Sequence, residues 1–221
     1  MKILLSLWLA LTSCSVCAGE SPHAYWNPAI AAFEAADRTN PPPQHAVLFI
    51  GSSSIEHWKS VAMDFPEVKV INRGFGGSVL SDSTYFADRI VAPYHPRGIV
   101  LYAGDNDLYY QHTPQQVCDD FAAFVGKVRS FDPGVPVAFV SIKPSVARES
   151  LLPQIKQANK LIRAYAATQK NVTYIDVFSS MLGADGQPQQ KWFGPDGLHM
   201  NRSGYLLWTG LLKRWVDDQG H

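Results

Sequence analysis

Ala46-Val47-Leu48-Phe49-Ile50-Gly51-Ser52-Ser53-Ser54 is an unbroken apolar run that ends abruptly in glycine and three hydroxyls. A run this short, with no polar residue alternating through it, reads as a strand buried on both faces, which is the habit of parallel sheets. The sudden change to small polar residues marks the carboxyl end of the strand and a turn out of the sheet. Four more runs have the same character, at 68–71, 98–102, 135–142 and 172–177.

Helical periodicity fills the gaps. Residues 113–130 place Val117, Phe121, Phe124, Val125 and Val128 on one stripe, and Cys118 falls in their company as a small buried apolar residue. Residues 151–168 repeat Ile155, Ala158, Leu161, Ile162 and Tyr165, and 203–216 close the chain with Tyr205, Leu206, Trp208, Leu211, Leu212 and Trp215. A further helix is expected over 28–36, stopped by Pro41-Pro42-Pro43. Strands alternating with helices predict an α/β fold, a five-stranded parallel sheet with helices on both faces. No repeat and no second domain is visible; 19–44 reads as a lead-in segment and 45–217 as the domain.

Sheets of this kind bind ligands beyond the carboxyl ends of their strands. Three polar patches follow strands and so share that edge. Ser53 follows the first strand and opens a helix, whose N-terminus would favour anionic character on an attacking oxygen. It fits a nucleophile, or equally the N-cap of a capping box with Glu56, and Ser52 and Ser54 leave open which hydroxyl matters. Asn72-Arg73-Gly74-Phe75-Gly76-Gly77 follows the second strand. Its glycines allow close backbone approach, so Gly77 could offer an N–H to an oxyanion or belong to a plain flexible loop. Gly104-Asp105-Asn106-Asp107 follows the third, where Asn106 could donate a neutral N–H or form an Asx-turn. Asp105 and Asp107 raise the question of a metal, but no histidine or third carboxylate stands beside them at ligand spacing, so no metal and no cofactor is expected. The fourth patch, Asp196-Gly197-Leu198-His199, precedes the last helix. A carboxylate at that spacing can accept from Nδ1–H and leave Nε2 as a base, and the alternative is a solvated loop pair. His23, His45, His57, His95, His112 and His221 lack such company and read as surface or structural.

The 221 residues carry a formal net charge of zero and no basic stripe, which argues against nucleic acid as a partner. Met1–Ala18 reads as an export leader: Lys2, an apolar stretch too short to span a bilayer, then small residues. Val16-Cys17-Ala18 suits cleavage with release to the periplasm or medium. Leu11-Thr12-Ser13-Cys14 alternatively suits a lipobox, with a lipid anchor at Cys14 and a membrane-anchored protein.

These patches resemble the four blocks of the SGNH (GDSL-like) hydrolase family: Gly51-Ser52-Ser53-Ser54, Asn72 to Gly77, Gly104 to Asp107, and Asp196 to His199. The resemblance implies a flavodoxin-like three-layer α/β/α sandwich. It also implies a serine ester hydrolase with Ser53 as nucleophile, His199 as base and Asp196 orienting it. The oxyanion hole would comprise the Ser53 N–H, the Gly77 N–H and the Asn106 side chain. Two departures stand out: Ser52 where the family carries aspartate, and Ser78 where an acid is common. The α/β-hydrolase elbow is absent, since Ile55 occupies its second glycine position. The expected substrate is a small ester, from a short-chain acyl or O-acetylated carbohydrate to a lysolipid, and acetylesterase or lysophospholipase activity would follow. A non-catalytic carbohydrate- or lipid-binding module on the same fold is the alternative. Trp58, Phe75, Tyr109, Tyr110, Trp192 and Phe193 flank the motifs as either cleft lining or core.

Overall fold

Alternate residues of a strand point to opposite faces of its sheet, and here both faces are apolar. Strand β1 (Val47–Gly51) sends Leu48 and Ile50 into one core and Val47 and Phe49 into the other. Strand β3 (Gly98–Tyr102) repeats the division, with Ile99 and Leu101 on the first side and Val100 and Tyr102 on the second. In the computed structural model, which describes residues 21–220, three further strands complete the sheet: β2 (Val70–Gly74), β4 (Val137–Val140) and β5 (Val172–Ile175). The order is β2-β1-β3-β4-β5 and every pairing is parallel. Met1–Ala18, Cys14 and His221 lie outside the described residues.

Helices α1 (Asn27–Thr39), α4 (Leu80–Tyr85), α5 (Ala87–Ile90), α7 (Pro114–Phe131) and α8 (Leu152–Thr168) cover the first face. The second face is closed by α2 (Ser53–Glu56), α3 (Val61–Asp64) and α10 (Arg202–Asp218). The two remaining helices, α6 (Asp105–Tyr109) and α9 (Phe178–Met181), are single turns. This is the three-layer sandwich the sequence predicts, and Cys118 is buried on α7 as expected. Among the described residues, no helix is long and apolar enough to cross a membrane.

Strand ends differ from the apolar runs, because hydrogen bonding rather than hydropathy sets them. β2 extends through Asn72, Arg73 and Gly74, since β1 pairs with it as far as Gly51 opposite Gly74. β4 stops at Val140, and beyond it the N–H and C=O of Ile142 are taken by the Asn159 side chain, at 2.9 Å each, instead of a neighbouring strand. Gly51 ends β1 with φ of +134°, and a Cβ there would lie 1.8 Å from the Tyr102 carbonyl oxygen. The lead-in packs tightly on the domain. Ile30 is fully buried, Arg89 reaches Glu34 at 2.7 Å, and Arg73 reaches Asp37.

Phe121 lies between Phe139 of β4 (ring centroids 4.7 Å apart) and Tyr165 of α8 (5.6 Å). Phe121→Ala should lower unfolding free energy by about 3–5 kcal/mol, read from chemical denaturation. A loss under about 1 kcal/mol would contradict this packing.

Candidate active site

The turn after β1 sets out the three hydroxyls in different directions. Ser52, not Ser53, occupies the N-cap position of α2, and its side chain caps nothing. The hydroxyls of Ser52 and Ser54 are buried with no hydrogen-bond partner among the described residues. Only Ser53 Oγ meets a base, lying 3.1 Å from His199 Nε2. The capping box with Glu56 therefore does not form. α2 is a single turn, so the help expected from a helix dipole shrinks to the Ser53 N–H itself.

His199 and Asp196 lie in the loop before α10, and the loop is knotted onto the carboxylate. Asp196 Oδ1 accepts from the N–H groups of Leu198 (2.9 Å) and His199 (3.0 Å), and Oδ2 lies 2.6 Å from His199 Nδ1. The Leu198 N–H contributes most to drawing the Asp196 carboxyl down to about 2; the ring and N–H of His199 add to it against a desolvation that opposes. A carboxylate on Nδ1 leaves Nε2 facing Ser53 as an acceptor.

The other two loops bring donors to the nucleophile. A Cβ on Gly76 would stand 3.7 Å from Ser53 Cβ, so the glycine-rich turn passes directly over the serine. Gly77 adopts φ of +79°, a conformation that suits glycine. No acceptor among the described residues takes the N–H of Ser53 or Gly77. Asn106, buried at the start of α6, donates one Nδ2 hydrogen to the Ser78 carbonyl at 3.0 Å. Its second hydrogen remains for a ligand. Ser53, Gly77, Asn106, Asp196 and His199 thus lie on one edge of the sheet as the sequence predicts. Both departures from the family blocks sit in this shell: Ser52 is fully buried, and Ser78 donates its hydroxyl to Phe75 O at 2.8 Å.

Sequence reasoning missed the group behind Asn106. Arg148 donates from NH2 to Asn106 Oδ1 at 2.9 Å, and its NH1 lies 3.4 Å from Asp105 Oδ2. Lys143, fully buried, donates to the same carboxylate oxygen at 2.7 Å and to the Tyr102 hydroxyl at 3.1 Å. Burial works against the charge on Asp105, but Lys143 and Arg148 together outweigh it and hold its carboxyl below the ordinary range. The Tyr109 ring caps the guanidinium at 4.7 Å. The same segment holds the histidine loop, since Ala147 N–H donates to Gly197 O at 3.1 Å. A buried cation at both Asn106 and Asp105 had no readable signal, because Lys143 and Arg148 stand about forty residues away in sequence from the pair they serve.

A second clasp holds α10 to the serine side. Asp64 accepts from Trp58 Nε1 (2.7 Å), Ser60 Oγ (2.8 Å) and both Arg202 terminal nitrogens. Arg202, first among these contacts, keeps the Asp64 carboxyl below its usual range. Three histidines read as idle have company. His57 lies against His199, with ring centroids 4.7 Å apart, and His23 Nδ1 meets Asp82 at 2.6 Å. His112 joins Asp107 and Asp120 in a cluster whose donor atoms lie within 4.8 Å of one another. The expectation that Asp107 stands without a histidine or carboxylate companion is therefore corrected: a turn and the first stretch of α7 supply both. Asp107 also accepts from the Leu80 N–H at 3.0 Å, and burial pushes its carboxyl up to about 7. Of the flanking aromatics, Trp58, Phe75 and Phe193 are core, Trp192 is half-buried, and Tyr109 and Tyr110 are exposed.

The GDSL-like Lipase/Acylhydrolase family matches residues 50–207. Among solved structures, the fold is similar to a GDSL-like lipase from Bacteroides thetaiotaomicron, with TM-score 0.72, 19% identity, and coverage of 86% of this chain and 97% of that one. It is similar to the lipase/acylhydrolase from Enterococcus faecalis at TM-score 0.66 and 19% identity, covering 79% and 96%. It is also similar to an acetyl-xylooligosaccharide esterase variant from Geobacillus at TM-score 0.63 and 16% identity, covering 79% and 95%. No curated protein sequence matches the chain.

Arg148 touches only the far side of Asn106, which makes it a positioning residue. Arg148→Ala should lower kcat about tenfold to a hundredfold with KM nearly unchanged, and Arg148→Lys should recover part of the loss. An equal loss through KM, or no loss, would contradict that role. A base works only with its accepting nitrogen unprotonated, so kcat/KM should fall in acid, while Asp196 stays ionised down to about pH 2 and takes no part in that fall. Its contribution to stability has the sign of a depressed carboxyl: present above the unfolded value near 4 and lost as pH falls through about 2. A rate that is flat from weakly alkaline to acid pH would contradict the base.

Proposed function

The chain belongs to the GDSL-like lipase/acylhydrolase family and is a carboxylic ester hydrolase, and on that premise we propose that it cleaves short-chain acyl esters through an acyl-enzyme on Ser53. The observation that carries this reading is the continuous chain from Asp196 Oδ2 to His199 Nδ1 at 2.6 Å and from His199 Nε2 to Ser53 Oγ at 3.1 Å. Ser53 Oγ attacks the ester carbonyl as Nε2 takes its proton, and the charge forming on the carbonyl oxygen is met by the Ser53 and Gly77 N–H groups and the free Asn106 Nδ2 hydrogen. The imidazolium, steadied by Asp196, gives the proton to the departing alkoxide. Water then attacks the acyl carbon as the same nitrogen takes its proton, and that proton passes to Ser53 Oγ as the acyl C–Oγ bond breaks and the acid leaves.

The acyl group is short. His199 is 32% exposed and Asp196 51%, so the triad opens to water instead of lying under an apolar cover. An extended fatty chain gains its binding free energy from buried apolar area, at about 0.8 kcal/mol per CH₂, and an open site forfeits most of it. The export reading of Met1–Ala18 would place the enzyme outside the cytoplasm.

Fluorophosphonate labelling followed by peptide mass spectrometry tests the nucleophile. The expected label sits on Ser53 and disappears in His199→Ala. Ser53→Ala should lower kcat about 10⁴- to 10⁶-fold and Asn106→Ala about 10²- to 10³-fold. A loss under tenfold at either position would refute these roles. Comparing p-nitrophenyl acetate with the octanoate tests the acyl length, and a higher kcat/KM on octanoate would refute the short-chain reading.

A further inference from the structure

Asp107 is fully buried, yet only half of its carboxylate is used. Oδ1 accepts from the Leu80 N–H at 3.0 Å, and Oδ2 has no hydrogen-bond partner among the described residues. A buried carboxylate oxygen left alone is rare and calls for a water, an ion or another ligand. His112 Nδ1 is in the same condition, buried and unpartnered, 3.9 Å from Asp120 Oδ2. One oxygen of Asp107, one of Asp120 and one nitrogen of His112 all lie within 4.8 Å of one another. Among the described residues, no lysine or arginine pairs with either carboxylate.

The turn between α6 and α7 builds this group. The His112 N–H donates to the Asp107 carbonyl at 2.9 Å, which folds the chain back on α6. Thr113 then caps α7, its hydroxyl accepting from the Gln116 N–H at 3.2 Å, and Asp120 follows in the second turn of that helix. His112 also lines a cavity of about 610 Å³. Another wall of the cavity is the lead-in segment, with Tyr25 and with Trp26, which donates from Nε1 to Asp82 at 3.0 Å. An ion can reach the cluster from that side, and water can complete its coordination.

We propose that Asp107, His112 and Asp120 bind a divalent transition-metal ion, zinc by the chemistry of the donors, which ties α6 to α7. Two carboxylates and an imidazole suit zinc, whereas magnesium prefers oxygen alone and keeps its waters. A point central to three atoms so spaced lies within about 2.8 Å of each, and bonds of about 2.0–2.2 Å are reached by small side-chain rotations. The two carboxylate charges are met by the ion, and both orphaned atoms gain a partner. Asn106 adjoins Asp107 in the chain, so the ion steadies the helix that carries the oxyanion donor without touching the reacting atoms.

The test strips the purified protein with EDTA and titrates it by calorimetry with zinc chloride and, separately, magnesium chloride. His57 and His199 stand together at the triad and could hold zinc themselves, so the parent protein for the titration is His57→Ala/His199→Ala. The expected result is one zinc ion per chain, with magnesium about a hundredfold weaker or more. His112→Ala and Asp120→Asn, each made in that parent, should weaken zinc binding about a hundredfold or more. At zinc about a hundredfold above Kd, the thermal midpoint of the parent should rise by about 5–10 °C, and those of the two variants should not move. Both side chains are partly exposed, and a midpoint matching the parent in zinc-free buffer will show that the variants fold. Cobalt(II) in place of zinc should give visible absorption bands that His112→Ala alters. Zinc bound as tightly by the variants as by the parent, or no zinc bound by the parent below about 1 mM, overturns the site. Either result leaves the assignment of Ser53 standing, because the metal ligands and the triad share no residue.

Discussion

β1 is hydrogen-bonded on both edges, to β2 on one side and β3 on the other, so Gly51 lies opposite Gly74 and Tyr102 at once. That double pairing holds the ends of three strands level. Two residues past Gly51 comes Ser53; three past Gly74 comes Gly77; four past Tyr102 comes Asn106. The nucleophile and both donor loops therefore leave the sheet from one edge at one height. β1 is also where the chain changes direction in the sheet, with its successors on opposite sides, and this is where such folds open a crevice. Slipping either ladder by one residue would turn alternate side chains into the wrong core and displace the donors.

His199 cannot be placed by the sheet, because it follows the edge strand β5 by more than twenty residues. It is placed by fastenings outside the sheet. The Asp64–Arg202 pair holds the start of α10 to the α2–α3 side, and the Ala147 N–H holds Gly197 from the other. The second fastening belongs to the segment that carries Arg148. One short stretch after β4 thus sets both the amide orientation of Asn106 and the position of the histidine loop. The charges involved are buried and paired, though Asp105 Oδ1 and Arg148 NH1 make no hydrogen bond among the described residues, an arrangement costly to disturb from one side, since losing one partner strands the rest. It is a means of geometric precision more than of stability.

The sheet, its parallel sense and the long helices were legible in the chain because burial on both faces leaves a continuous apolar run, and burial on one face leaves a stripe. The strand ends were not legible, since Asn72 and Arg73 join β2 through the pairing partner and Ile142 leaves β4 for the Asn159 side chain. The choice of Ser53 over Ser52 and Ser54 was also closed to sequence reasoning. Three adjacent serines differ only in direction, and the backbone of the turn after β1 decides which one faces outward.

From the sequence alone come the class of fold, the shared edge, the Asp196–His199 pair and the four blocks. Each is a local pattern: a run, a stripe, or residues within a few positions of one another. Only the tertiary structure supplied Arg148 behind Asn106, His112 and Asp120 beside Asp107, and the lead-in wall of Tyr25 and Trp26 clasped by Asp82. Those contacts join residues five to nearly sixty positions apart. Chain proximity says nothing about such pairs, because they meet only when the sheet edge draws separate loops together and the exclusion of water makes each hydrogen bond among them worth keeping.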